Sequence, residues 1–178
     1  MGKRSNFKRR KNDDYPTPYK GVLPLIPFLK DVQTFAEPCA GGGALIRHLE
    51  MFGFECGFHN ELTTGIDARL VNDFGDVDTI ITNPPWTREI LHALISHFSA
   101  HKPTWLLFDS DWAFTYQAEP YLSYCTDIVA VGRLKWIEDS PYSGKDNCAW
   151  YRFDKHPTVR TRFHGLDRNT NKLEAIYE

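Results

Sequence analysis

Apolar residues recur along this chain with two alternating periods, which predict strands and helices in turn. Short runs of β-branched and aromatic residues at 32–37, 78–82 and 104–108 are typical of buried strands. Residues 44–53 and 88–98 instead place apolar side chains three and four positions apart, as amphipathic helices do. The first of these helices ends at a glycine, which suits a helix C-terminus.

Three further segments complete the pattern. Residues 54–61 read as a second strand, and residues 127–137 and 149–154 read as two late strands separated by a polar loop. The alternation predicts an α/β fold with a mostly parallel sheet and a closing antiparallel hairpin. Ligands of such sheets bind at the carboxyl ends of the strands, where three of the chain's most unusual loops begin.

Length and composition favour one soluble domain with little room for more. The chain has 178 residues, of which 42% are hydrophobic and 25% charged, and its net charge is −2. We expect a basic N-terminal arm over residues 1–13 and a single domain over 14–178, without a separate target-recognition domain. The arm is expected to be solvated when free and to bind phosphate groups of a nucleic acid through its cluster of cations. That cluster comprises Lys3, Arg4, Lys8, Arg9, Arg10 and Lys11.

Several classes of protein are disfavoured. The basic start has no following apolar stretch, so no signal peptide is expected, and no apolar run approaches the roughly 20 residues of a membrane span. The four cysteines are widely spaced, which indicates reduced thiols and a cytoplasmic protein. His97 and His101 share a helix face but have no third ligand at a suggestive spacing, so no metal is expected.

The first unusual loop is EPCAGGG at 37–43. Gly41, Gly42 and Gly43 allow a sharp strand-to-helix turn and a close approach of a ligand to the backbone. Neither GxGxxG nor a phosphate loop is present, so a tight turn alone remains an alternative. Glu61, 20 residues after Gly41, stands where α/β folds bind ribose hydroxyls. Asp73 followed by Phe74 suits binding of an adenine.

The second unusual loop is TNPPW at 82–86. Asn83 offers a side-chain carbonyl oxygen and Pro84 a backbone carbonyl, and the rigid pair Pro84–Pro85 holds both acceptors in place. Two converging acceptors suit an amino group, and Trp86 offers a flat face for the ring that carries it. Adenine and cytosine are both flat rings with an exocyclic amino group, so either would fit this loop.

Together these motifs resemble the S-adenosylmethionine-dependent methyltransferases that act on exocyclic amino nitrogens. TNPPW is similar to their catalytic [DNS]PP[YFW] loop, EPCAGGG to their cofactor loop, and DYPTP at 14–18 to the segment that closes over the methionine end of the cofactor. Residues 132–153 resemble the late region of small phage-type DNA N6-adenine methyltransferases. The resemblance covers most of residues 14–154. It implies a Rossmann-like class I fold with a seven-stranded sheet and helices on both faces.

The resemblance also assigns roles to individual residues. Asn83, Pro84, Pro85 and Trp86 would form the target-base site, where the flipped base stacks on Trp86 and its amine donates to the two acceptors. S-adenosylmethionine would be bound by Tyr15, Thr17, Glu37, Pro38, Ala40, Gly41, Glu61, Asp73, Phe74 and Asn83. The glycine loop departs from the more frequent GxG, and Glu61 stands where aspartate is also common.

Several alternatives stay open at this stage. Adenine N6 and cytosine N4 fit the same acceptors, and related loops methylate RNA adenines and protein glutamine. A module that binds cofactor or nucleic acid without catalysis is another alternative, which the intact Asn83 and prolines disfavour. Trp86 and the basic arm favour a nucleic acid over a protein substrate, and the resemblance to phage-type enzymes makes adenine N6 in DNA the expected target. Target recognition would fall to the basic arm, to Lys145 in the late loop, and to the cationic tail at 155–172, which suit phosphate contacts better than base readout, so we expect weak sequence specificity.

Overall fold

One mixed sheet organises the part of the chain that the structure, a computed structural model, describes: residues 15–63, 65–137 and 140–169. Its strands are β1 (Thr34–Glu37), β2 (Glu55–His59), β3 (Thr79–Thr82), β4 (Thr104–Asp109), β5 (Cys125–Arg133), β6 (Asn147–Phe153) and β7 (Arg162–His164). They lie in the order β2-β1-β3-β4-β6-β5-β7. Only β6 is antiparallel to its neighbours among these strands, so the other six have their carboxyl ends at one edge.

The helices are mostly short. They are α1 (Tyr19–Val22), α2 (Ala44–Glu50), α3 (Arg88–His101) and α4 (Glu119–Leu122), with 3₁₀ helices at Ile26–Phe28, Ala68–Leu70, Ser110–Phe114 and Tyr116–Ala118. Pro24 and Pro27 lack the amide proton that a continuing helix needs, which explains why α1 ends at Val22. No helix in the described ranges has the length and apolar character required to span a membrane.

Apolar cores lie on both faces of the sheet because strand side chains alternate. From β4, Leu106 and Phe108 join one core with α3, whereas Trp105 and Leu107 join the other core with α1 and α2. Each fully buried side chain of this size contributes about 1.5–3 kcal/mol through removal of apolar surface from water. The predicted α/β sheet with helices on both faces and a closing β5–β6 hairpin is confirmed.

The last strand was not located by the sequence pattern. β7 falls within the cationic tail and contains only one apolar residue, Phe163, so it has no strand-like alternation. Polar contacts hold it instead: Arg162 and His164 both contact the buried carboxylate of Asp127 on β5, at 3.0 and 2.9 Å. Part of the tail that the sequence analysis reserved for nucleic acid therefore completes the sheet.

The turn from β1 into α2 requires glycine at Gly43, where φ is +72°. A side chain in this left-handed conformation costs roughly 1–2 kcal/mol. We expect Gly43→Ala to lower the free energy of unfolding by about that amount in urea titrations. Gly42→Ala is the matched control, since a Cβ at Gly42 would meet no other atom within 4 Å. Equal losses in both variants would contradict this account of the turn.

Candidate functional site

A cavity of about 210 Å³ opens at the carboxyl edge of the sheet, between the loops that follow β1, β2 and β3. The segment at residues 15–17 forms another of its walls. Eight of the ten residues that the sequence analysis assigned to a cofactor line this cavity: Tyr15, Thr17, Glu37, Pro38, Ala40, Gly41, Glu61 and Asn83. Residues far apart in the chain thus meet because parallel strands end together.

Glu37 is the most perturbed acid of the cavity. It ends β1, is 1% exposed, and its Oε1 accepts hydrogen bonds from the Cys39 amide at 2.9 Å and from the Thr82 hydroxyl. Burial nevertheless raises the pKa of Glu37 to about 8, because the charged form loses its hydration. A cationic group entering the cavity would favour the ionised carboxylate.

The glycine loop is held to the loop after β2 by Asn60, a residue that the sequence analysis did not single out. The Asn60 amide donates to the Glu37 carbonyl at 3.1 Å, and its carbonyl accepts from Ala40 at 2.9 Å. Its side chain also donates to the carbonyls of Pro38 and Ile66, at 3.1 and 2.8 Å. Asn60 therefore joins two loops that both line the cavity.

The loop after β2 contributes two carboxylates to the lining of the cavity. Glu61 follows β2, and its Oε1 accepts from the Thr63 amide at 3.1 Å. Asp67 caps the 3₁₀ helix at Ala68–Leu70 and pairs with Arg69, whose hydrogen bonds lower the pKa of Asp67. Asp67, Ala68 and Arg69 all line the cavity.

Asp73 and Phe74, which the resemblance assigned to the cofactor, do not line this cavity. Phe74 is 3% exposed and packs edge-on against Phe58 and Phe98 in the core, because its ring covers the sheet beneath α3. The Asp73 carboxylate accepts from the Gly75 amide and closes a turn. The loop after β2 contributes Asp67 to the cavity instead.

Asn83 lies where the cavity meets the TNPPW loop. Its Nδ2 donates to the Tyr15 carbonyl at 3.3 Å and to the Thr17 hydroxyl at 3.2 Å. Its Oδ1 accepts from the Trp86 indole N–H at 3.3 Å. Pro84 is buried and Pro85 lines the cavity, so the rigid dipeptide fixes the backbone beside the amide.

Trp86 is more enclosed than the sequence analysis expected. Its indole N–H also donates to the Leu107 carbonyl at the end of β4, at 3.1 Å, and its ring packs against both apolar cores. The edge of Trp136 contacts it, with ring centres 5.6 Å apart and planes at 84°. The indole N–H therefore fixes the position of Trp86, while its ring contributes an aromatic surface.

Trp136 belongs to the loop between β5 and β6, which reaches the same edge of the sheet. Tyr15 contacts Trp136 as well, with ring centres 6.4 Å apart, so three aromatic rings gather beside Asn83. Gly144 fits against Trp136, since a Cβ there would come within 2.9 Å of the indole Cδ1. Lys145, the loop residue assigned to nucleic acid, is exposed next to it. The sequence around Trp136 has no motif that would predict its place beside Trp86 and Tyr15.

The sequence analysis also singled out the cations of the N-terminal arm and two histidines of α3. The basic residues assigned to nucleic acid in the arm lie outside the described residues: Lys3, Arg4, Lys8, Arg9, Arg10 and Lys11. His97 and His101 of α3 contact backbone, with His97 Nε2 at 2.6 Å from the Val71 carbonyl and His101 Nδ1 at 2.8 Å from the His97 carbonyl. Within the described ranges, no three His, Cys, Asp or Glu side chains form a group able to hold a metal ion.

Comparison with known proteins identifies the fold. No family model and no curated protein sequence matches the chain. A proposed RNA methyltransferase from Pyrococcus horikoshii is similar in structure, with a TM-score of 0.57 and 18% identity over 87% of this chain and 95% of that one. A proposed class I S-adenosylmethionine-dependent methyltransferase from Listeria monocytogenes has a TM-score of 0.55 and 11% identity over 94% of this chain and 71% of that one. The chain therefore has the α/β fold of class I methyltransferases.

Proposed function

We propose that the protein transfers a methyl group from S-adenosylmethionine to an exocyclic amino nitrogen of a nucleic-acid base. The observation that carries the proposal is the amide of Asn83, which lies at the wall of the cavity with its Oδ1 held by the indole N–H of Trp86. A cofactor cavity and an acceptor for an amine meet at this one residue.

The residues of the cavity fit the chemical groups of the cofactor. The buried carboxyl of Glu37, with a pKa of about 8, suits a cationic partner such as the ammonium of a methionine moiety. The Thr17 hydroxyl would bind the methionine carboxylate, and Glu61 would accept from the ribose hydroxyls. Asp67, which lines the cavity where Asp73 does not, would accept from the adenine amine.

The bound cofactor would supply an electrophilic methyl group, and the chain supplies orientation. Asn83 Oδ1 and the Pro84 carbonyl would accept from the two protons of the target amine. Two hydrogen bonds from the amine to these acceptors would favour a pyramidal nitrogen, whose lone pair is available to attack the methyl group. A carbonyl oxygen has two lone pairs, so the Trp86 N–H leaves one on Asn83 for the substrate. Fixed acceptors in a water-excluded site stabilise the transition state without reorganisation.

A flat base is the target that best matches the surroundings of Asn83. Tyr15, Trp86 and Trp136 form an aromatic cluster there, and stacking on such rings replaces the stacking that a flipped base loses. Adenine N6 in DNA with weak sequence specificity is the proposed target. The similarity to a proposed RNA methyltransferase makes RNA the second candidate.

Methyl incorporation from labelled S-adenosylmethionine tests the proposal directly. DNA, RNA and a glutamine-containing peptide would be compared, followed by nucleoside analysis to separate N6-methyladenine from N4-methylcytosine. We expect label in DNA as N6-methyladenine and cofactor binding in calorimetry. Absence of cofactor binding would contradict the proposed activity. Mapping of modified positions in a plasmid should give many sequence contexts, and one strict recognition sequence would contradict weak specificity.

A further inference from the structure

The orientation of the Asn83 side chain is chemically forced. The Tyr15 carbonyl can only accept a hydrogen bond and the Trp86 indole N–H can only donate one. An amide rotated by half a turn would place its oxygen against the Tyr15 carbonyl and its NH2 against the indole N–H. Nδ2 therefore lies on the side of residues 15–17, and Oδ1 lies on the side of Trp86.

Thr17 supplies the side-chain acceptor for Asn83 Nδ2, and it also lines the cavity. It is 4% exposed, and its Oγ1 accepts from Asn83 Nδ2 at 3.2 Å. A hydroxyl that accepts one hydrogen bond still has a proton to donate. When that proton is donated to an anionic group, the oxygen becomes a better acceptor, because consecutive hydrogen bonds polarise one another.

We propose that Thr17 is a positioning residue that orients the Asn83 amide for the target amine, and that an anionic group in the cavity strengthens this orientation. The proposal rests on the proposed function, because it gives Asn83 its role toward an amine. It goes further by assigning Thr17 an effect on the target side, in addition to contact with the cofactor. Linkage requires the reverse effect too: a target amine on Asn83 would tighten binding of the anionic group by the same factor.

Thr17→Val tests this role, since valine preserves shape and removes the hydroxyl. Asn83 Nδ2 then loses one of its two acceptors inside a buried site. We expect kcat at saturating cofactor and target to fall about 10- to 100-fold. Thr17→Ser retains a hydroxyl and should restore kcat to within about threefold of the original protein. Thr104→Val is the matched control, because Thr104 is fully buried at the amino end of β4 and its hydroxyl donates to the Lys102 carbonyl.

The split between kinetic constants separates positioning from simple binding. If Thr17 only binds the cofactor, Thr17→Val raises the KM for the cofactor and leaves kcat at saturation unchanged, which would overturn the proposal. The same conclusion would follow if Thr17→Ser were as slow as Thr17→Val. Denaturant unfolding of all three variants checks that each is folded.

A second measurement does not depend on methyl transfer. The side-chain NH2 resonances of Asn83 in a ¹⁵N spectrum, assigned with an Asn83→Asp variant, should move in Thr17→Val and stay in place in Thr17→Ser and Thr104→Val. Unchanged resonances in Thr17→Val would overturn the proposed orientation. If the original protein binds no S-adenosylmethionine but these resonances move as expected, the proposed function fails while Thr17 is still shown to orient Asn83.

Discussion

Asn83→Ala is expected to lower kcat for methyl transfer by about 10²–10³-fold, the loss typical of removing one preorganised group that stabilises a transition state. Alanine removes Oδ1, so the target amine keeps only the Pro84 carbonyl as acceptor. Cofactor affinity should fall much less, because Asn83 contributes to that side only through Nδ2, which donates to Tyr15 and Thr17. Single-turnover rates with labelled cofactor and calorimetric binding measure the two quantities separately.

Asn72→Ala is the matched control for this variant. Asn72 is exposed, and its side chain donates only to the nearby Leu70 carbonyl. The Asn72→Ala variant should therefore transfer methyl groups and bind the cofactor like the original protein. A variant at Asn83 that lost cofactor binding while turning over normally at saturation would mean that Asn83 serves the cofactor alone.

The sequence was most informative where a single local pattern determines both backbone and chemistry. TIIT followed by NPPW predicts a buried strand that ends in a rigid turn, and the structure has that strand as β3 with Asn83 directly after it. The glycine turn and Glu61 follow the same logic, because each comes at the carboxyl end of a strand. Strand ends converge in a parallel sheet, so local patterns were sufficient to bring these residues to one cavity.

Prediction was poorer where the outcome depends on which way a loop turns. Residues 62–77 contain several acids, and the sequence does not show that Asp67 lines the cavity while Phe74, next to Asp73, packs in the core with α3. The same limitation applies to Trp136, which meets Trp86 only because the β5–β6 hairpin returns to the same edge. The polar strand β7 depends on a buried carboxylate, Asp127, that lies 35 residues away from Arg162.

The Asn83 amide depends both on local sequence and on contacts with residues that are distant in the chain. Its position follows from the sequence, but its direction follows from three partners that lie 3, 66 and 68 residues away in the chain. The resemblance assigns Asn83 to both cofactor and target, and this stays a prediction. In the structure Nδ2 donates to residues 15 and 17 and Oδ1 accepts from Trp86, so one planar group would join the two halves of the proposed reaction.

Glu37→Gln is expected to stabilise the free protein while it weakens cofactor binding. Burial raises the pKa of Glu37 from 4.5 to about 8, so between these values the unfolded chain ionises while the folded protein retains the proton. Folding stability contributed by this group therefore decreases as pH rises from about 4.5 to 8. Glutamine cannot ionise, and its Oε1 can still accept from Cys39 and Thr82. The gain in unfolding free energy should grow with pH and reach the order of 4 kcal/mol at pH 8.

Urea titrations at pH 5, 6.5 and 8 would measure this gain, and calorimetry would measure cofactor affinity in the same samples. Affinity should fall roughly 10- to 100-fold, because a neutral amide replaces a charge-assisted hydrogen bond to a cationic group. Glu55→Gln on β2 removes an exposed carboxylate and should change neither quantity. A Glu37→Gln protein whose stability ran parallel to the original across this pH range would show that Glu37 ionises normally in the fold. If the proposed function holds, Glu37 opposes folding in the free protein and would stabilise the complex by pairing with the cationic group of the cofactor.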